Sequence, residues 1–260
     1  MSSQNRGDMG DRRKYLIDRI VWVCKRLDDK GFGANHDGNV TAKFEDKILA
    51  TPTSTCKGLV TPETIITCDK EGKKIEGIGL PFSEIGLHLT AYKVRTDINA
   101  VVHAHPPFAT AMGLIGKNLR PSIPEAVISI GEEIPVLHFC MPGSPDSENA
   151  VATVLQTTDV FMMQGNGVFA VGTDVEQAYL RLELVEHVAK IQFYAQSSGK
   201  IFEIPRADLE KLLEKRASLG LGPKIKKMGD EKKQISGEVQ VTIDMIREII
   251  VEEISKFIKS

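Results

Sequence analysis

Apolar residues recur at helical spacing between Asp11 and about Lys30, at Leu16, Ile17, Ile20, Val21, Val23, Cys24 and Leu27, and stop at Gly31 and Gly33. This predicts an amphipathic first helix behind a polar leader. The pattern then changes to short runs: Val40 to Phe44 alternates, Glu45-Asp46-Lys47 turns, and Ile48-Leu49-Ala50 returns, with further strands expected at Thr64 to Cys68 and Lys74 to Ile78. A second helix carries Ile85, Leu87, His88, Leu89, Ala91 and Tyr92, with Ser83 placed to cap it and Glu84 in its first turn. Ala100-Val101-Val102 is a continuous apolar run that meets Pro106-Pro107, the pattern of a buried strand. Beyond it, Phe108 to Leu114 reads as a short helix, Val127 to Ile130 and Ile134 to Leu137 as short strands, and Ser147 to Thr157 as a helix. Val160 to Met163 and Val168 to Val171 read as strands, and Thr173 or Asp174 caps a long helix to about Ala195. Strands and helices interleave, so the expected class is α/β (α+β-like), with a mixed central β-sheet flanked by helices in three layers.

The end of the run at 100–105 changes the picture from fold to chemistry. Side chains two apart on a strand share a face, so His103 and His105 present two imidazoles to one place, a metal-binding geometry. Two loops, 35–41 and 51–54, are made of Gly, Asn, Ser and Thr, residues that offer N–H groups and hydroxyls without bulk and suit a phosphate oxygen. The bulk numbers add little. Net charge is -2 with 26% charged residues, which gives no electrostatic case for nucleic acid or an anionic membrane surface. No apolar run approaches a bilayer span and the start lacks a signal-peptide core, so the expected location is cytoplasmic. Cys24, Cys56, Cys68 and Cys140 show no C-x-x-C spacing, which argues against a disulfide framework or a cysteine zinc site.

Six segments in order carry a specific likeness: Gly38-Asn39-Val40, Thr51-Pro52-Thr53-Ser54, Pro81-Phe82-Ser83-Glu84, His88-x-x-x-Tyr92, Ala100 to His105, and Gln164-Gly165-Asn166-Gly167. Over about residues 11–205 the chain resembles the class II aldolase/adducin family, especially its sugar-phosphate aldolases. The resemblance implies that His103 and His105 are zinc ligands and that Glu84 is the acid/base carboxylate. It further implies that Gly38, Asn39, Thr53, Ser54 and Ser83 hold the substrate phosphate. The implied reaction is metal-dependent cleavage of a deoxy-ketose 1-phosphate, of the L-fuculose or L-rhamnulose type, to dihydroxyacetone phosphate and an aldehyde such as lactaldehyde. Zn²⁺ would stabilise the enediolate as a Lewis acid, and Glu84 would move its proton with a raised pKa.

A related branch epimerises L-ribulose 5-phosphate but has an aspartate where this chain has Glu84, which favours cleavage here. A non-catalytic adducin-like assembly module is the other alternative. Three positions depart from the family pattern. Asn166 stands at the third ligand position in place of a histidine, and an amide oxygen is a far weaker zinc ligand than imidazole. A weakly held or harder metal, recruitment of Glu84, and loss of the metal are all open. Phe82 replaces a phosphate-binding serine, and Glu125 falls near an expected tyrosine of the neighbouring subunit. The resemblance also implies a homo-oligomer, a tetramer.

Past Pro205 the pattern is different again. A charged helix is expected at Ala207 to Leu219, within a helix-and-linker segment at 206–238. Ile243, Ile246, Ile249, Ile250, Ile254, Phe257 and Ile258 then form one apolar stripe on a final helix at 239–260. This tail resembles the encapsulation peptides of bacterial microcompartment enzymes, which implies a shell protein as partner for 240–260.

Overall fold

The computed structural model describes residues 3–224 other than Pro142. The helix expected at 239–260 and the end of the linker before it lie outside the described residues. The first helix, α1 (Ser3–Asp29), begins ahead of the expected Asp11. Extending a helix backward through polar residues is cheap once its apolar stripe is docked and nucleation is complete. Strands β1 (Asn39–Phe44) and β2 (Lys47–Ala50) form the expected hairpin, followed by β3 (Ile66–Cys68) and β4 (Lys74–Glu76). Then come α2 (Ile85–Val94), β5 (Ala100–Ala104), α3 (Pro107–Ile115), α4 (Pro124–Ile130) and β6 (Val136–Leu137). The remaining elements are α5 (Pro145–Val154), β7 (Val160–Met163), β8 (Val168–Gly172), α6 (Val175–Ser198) and α7 (Arg206–Ser218).

One expected strand is a helix. Val127 to Ile130 lies in α4, which starts on Pro124 at a position where a missing N–H costs nothing. Ala126, Val127 and Ile130 are its buried residues, a helical and not an alternating spacing. A four-residue apolar run does not distinguish the two periods.

The eight strands form one sheet in the order β4-β3-β2-β1-β5-β8-β7-β6, antiparallel except for the β6/β7 pair. Strand β5 is central and buried on both faces, hence its unbroken apolar run. Its alternation sorts the core into two layers. Ala100, Val102 and Ala104 pack with the residues of α1 and α6 on one face. Val101 packs with Phe161, Phe169 and Val171 against α2 and α5 on the other. His103 has the parity of Val101 and therefore projects into the α2 layer. This is the expected helix–sheet–helix arrangement.

Beside this core, a carboxylate with no solvent exposure, Asp159, precedes β7. Arg95, Arg181 and Arg216 approach it at 2.7, 2.9 and 3.1 Å. Arg216 also donates to the carbonyls of Ile128 and Ser129, so α7 is fastened to α4 and to the sheet edge through one guanidinium.

Candidate active site

Glu84 sits at the N-cap of α2, but its carboxylate makes no capping bond there. It turns to the end of β5. Its Oε2 lies 3.3 Å from His103 Nδ1, and its Oε1 accepts a 2.6 Å hydrogen bond from the Asn166 side-chain amide. Ser83, expected to cap α2, is exposed and does not do so. Asn166 belongs to the tight turn between β7 and β8, where Gly165 and Gly167 have φ of 74° and 70°. A Cβ on Gly167 would overlap the Ala104 carbonyl and the His105 ring, so glycine there lets the turn close onto the end of β5. As a result the Asn166 backbone carbonyl reaches His103 Nε2 at 2.8 Å.

His105 follows one step beyond the strand, its ring centroid 5.2 Å from that of His103 and its Nδ1 3.5 Å from Asp37 Oδ2. Gly38, with φ of 82°, abuts the His103 carbonyl and Ala104; Asn39 is paired with His103 across β1 and β5, and its side-chain oxygen is buried without a partner. Glu84, His103, His105, Asn166, Gly38 and Asn39 therefore meet at one place. The remaining phosphate candidates are on two loops joined to each other. Pro52 bridges to Pro81 and the Thr53 N–H bonds to the Leu80 carbonyl, which sets the Thr53-Ser54 turn beside the Ser83 segment. All three side chains are exposed there.

The electrostatics overturn one expectation. Burial acting alone would raise the Glu84 carboxyl, but its close contact with His103, the His103 charge and the Asn166 amide outweigh burial and hold it down to about 2. The carboxylate is ionised, not poised near neutrality. Burial opposes a charge on His103, yet Glu84 and the Asn166 carbonyl raise its pKa. His105 is moved the other way, by burial and by the His103 charge.

Four residues took no role from the sequence alone: Asp37, Thr41, His88 and Lys57. Asp37 was legible only as part of a turn, and its contact with His105 is tertiary. Thr41 bonds both His88 Nδ1 and the Tyr92 hydroxyl, each at 2.8 Å, in a buried row behind the site. His88 lies edge-on to Phe82 and Phe169, and burial followed by the His103 charge pushes its pKa down to about 3. Phe82 is thus a buried packing residue, where a serine would have offered a hydroxyl. Lys57, also buried, donates to the Thr55 carbonyl at the foot of the 51–56 loop.

The zinc expectation meets donors of the right type, two imidazoles and a carboxylate, in a placement that does not fit it. Among the described residues no group of three His, Cys, Asp or Glu side chains is placed to hold a metal ion. A carbonyl only accepts, so His103 Nε2 carries a proton, and its Nδ1 faces a carboxylate. Nδ1 is buried with no hydrogen-bond partner, 3.3 Å from Glu84 Oε2. The Asn166 amide turns its N–H, which cannot ligate, toward the third donor, Glu84. His103, His105 and Asn166 are brought together as expected, but as a hydrogen-bonded cluster.

Known proteins place this arrangement. Residues 18–193 match the family model for the class II aldolase and adducin N-terminal domain. An L-fuculose phosphate aldolase of Methanocaldococcus jannaschii is 32% identical over 173 residues, covering 66% of this chain and 93% of that one. A 5-methylthioribulose-1-phosphate/5-deoxyribulose-1-phosphate aldolase of Escherichia coli is 28% identical over 80% of this chain and 98% of its own. The crystal structure of an L-fuculose-1-phosphate aldolase from Thermus thermophilus superposes with a TM-score of 0.64 at 26% identity, covering 72% of this chain and 98% of that one. Aldolases of this family are generally dependent on a divalent metal and generally oligomeric. The chain belongs to the class II aldolase and adducin family and is an enzyme of its aldolase type.

Proposed function

We propose that the chain cleaves a ketose 1-phosphate, of the deoxy-sugar type handled by L-fuculose phosphate aldolases, into dihydroxyacetone phosphate and a small aldehyde such as lactaldehyde. The observation that carries this reading is the convergence of Glu84 with two histidines at the end of β5, beside small-residue loops. As the bond between C3 and C4 breaks, the C4 hydroxyl gives up its proton and becomes the aldehyde oxygen, and the bond's electron pair becomes an enediolate over C2 and C3 that is then protonated at C3. The His103 ring, held between Glu84 and the Asn166 carbonyl with its pKa raised, is set to oppose that charge. Glu84, at 14% exposure and adjoining the Ser83 loop, is the carboxylate that exchanges the proton at C3. Gly38, Asn39, Thr53, Ser54 and Ser83 would hold the phosphate away from the breaking bond and keep the substrate in register.

Glutamate at 84 supports cleavage over epimerisation. The likeness to a methylthioribulose-phosphate aldolase makes 5-methylthioribulose 1-phosphate a third substrate to assay beside L-fuculose and L-rhamnulose 1-phosphates. The assay is release of dihydroxyacetone phosphate, read by its reduction with a coupling dehydrogenase. Release from one of the three, lost with Glu84→Gln, supports the reading; no release from any of them overturns it. A tetramer is the proposed assembly. The apolar stripe from Ile243 to Ile258 supports docking of 239–260 to a shell protein, which a chain ending at Gly237 would lose. No helix among the described residues is long and apolar enough to cross a membrane.

A further inference from the structure

Three donors would have to converge for a divalent ion to be held at the end of β5, and one residue engages two of them. The Asn166 amide donates to Glu84 Oε1 at 2.6 Å. Its backbone carbonyl engages His103 Nε2 at 2.8 Å. The turn that carries it is clamped by Gly167, where any side chain would collide with Ala104 and His105, so Asn166 cannot retreat without rebuilding the β7/β8 turn. An ion bound between Glu84 and the imidazoles would have to displace the Asn166 N–H from Glu84 Oε1. Two imidazoles and one carboxylate are a zinc-competent set by type, but among the described residues they are not placed to hold an ion together, and an N–H, which cannot ligate, stands where a further donor would be.

We propose that Asn166 takes the place of a metal ion at this site: its side chain holds Glu84 and its backbone holds His103 beside His105, so the chain binds no divalent cation tightly there, and Asn166→His creates such a site. The inference concerns what the site binds and stands whichever sugar phosphate is cleaved. It makes Asn166 the residue that separates this chain from metal-loaded relatives. An imidazole at 166 adds a basic nitrogen and removes the N–H that occupies Glu84, which frees the carboxylate; the backbone carbonyl on His103 Nε2 stays, and the unpartnered His103 Nδ1 is the atom left to ligate.

The experiment uses the full chain, purified without chelators and dialysed against metal-free buffer. Retained metal is measured by elemental analysis and Zn²⁺ binding by calorimetry, for the wild type, Asn166→His, His103→Ala and the double variant Asn166→His/His103→Ala. The expected result is no retained metal in the wild type and no Zn²⁺ site that depends on His103. Asn166→His should hold about one ion per chain at least ~100-fold more tightly, and the double variant should lose it. Binding in the wild type that His103→Ala leaves unchanged is surface binding and agrees with the proposal. About one ion per wild-type chain, lost in His103→Ala, would overturn it, and this arm needs no altered turn to fold. A correctly folded Asn166→His that gains no affinity would overturn it too.

Discussion

Two carboxylates in this molecule, the buried Asp159 and the partly exposed Glu84, are held in contrasting ways. Asp159 faces three guanidiniums, from Arg95, Arg181 and Arg216, none of which can release a proton under any condition the protein meets. Glu84 faces a histidine and a primary amide. The first arrangement fixes charge in place and ties α7, α4 and the start of β7 together. The second holds charge next to a group that titrates and beside loops open to solvent. Burial of an acidic residue thus says little about its role; the chemistry of its partners separates a structural anchor from a reacting group.

The comparison can be broken most sharply by two isosteric or truncating changes. Glu84→Gln should reduce cleavage by about 10²–10⁴-fold while leaving the fold intact, since the amide keeps the shape and its oxygen still accepts from the Asn166 N–H. Asp159→Ala should do the reverse. It leaves Arg181 and Arg216 without their anion, while Arg95 keeps Asp97, and should lower unfolding free energy by about 3–5 kcal/mol in urea titrations, with the folded fraction retaining its turnover. If Asp159→Ala removed activity from fully folded protein, or Glu84→Gln unfolded it, the two roles would have been assigned the wrong way round.

A smaller effect comes from the row behind the site. His88 has its folded pKa pushed down to about 3, so the unfolded chain binds a proton that the folded chain refuses between pH 6.5 and about 3. Stability should therefore fall as pH drops through that window, by up to about 1.4 kcal/mol per pH unit, and this contribution is constant above it. Glu84, also depressed, adds a loss of the same sign only below about pH 4.5, as its carboxylate is forced to protonate. Urea midpoints for the wild type and His88→Gln between pH 6.5 and 5 isolate the first term; equal slopes would contradict a neutral buried His88. Smallest of all, Arg206→Ala should leave the midpoint where it is. That side chain is 66% exposed, and its partners Glu132 and Glu210 are exposed with it.

How much of this could be read from the chain follows the same division. The central strand was legible because a period of two is written into consecutive residues, and so was the shared place of His103 and His105. The small-residue loops were legible as types, and the family motifs assigned them a phosphate. Asn166 was legible as a departure from a histidine, but not as the donor to Glu84, since that bond spans 82 positions and depends on how β7 and β8 turn. The same holds for the Glu84 pKa. Burial beside a metal suggested a raised value, whereas the actual neighbours, His103 and Asn166, lower it. Val127 to Ile130 was misread because four apolar residues fit either period, and Pro124 with the packing of Ala126 and Val127 decided for helix.

The central claim is that the cluster at the end of β5 performs carbon–carbon cleavage. Its most direct test is steady-state release of dihydroxyacetone phosphate from L-fuculose 1-phosphate by wild type, Glu84→Gln and Asp159→Ala, each assayed at a temperature where it is folded. The account predicts turnover by the wild type and Asp159→Ala and its loss in Glu84→Gln. Unchanged turnover in Glu84→Gln would contradict it.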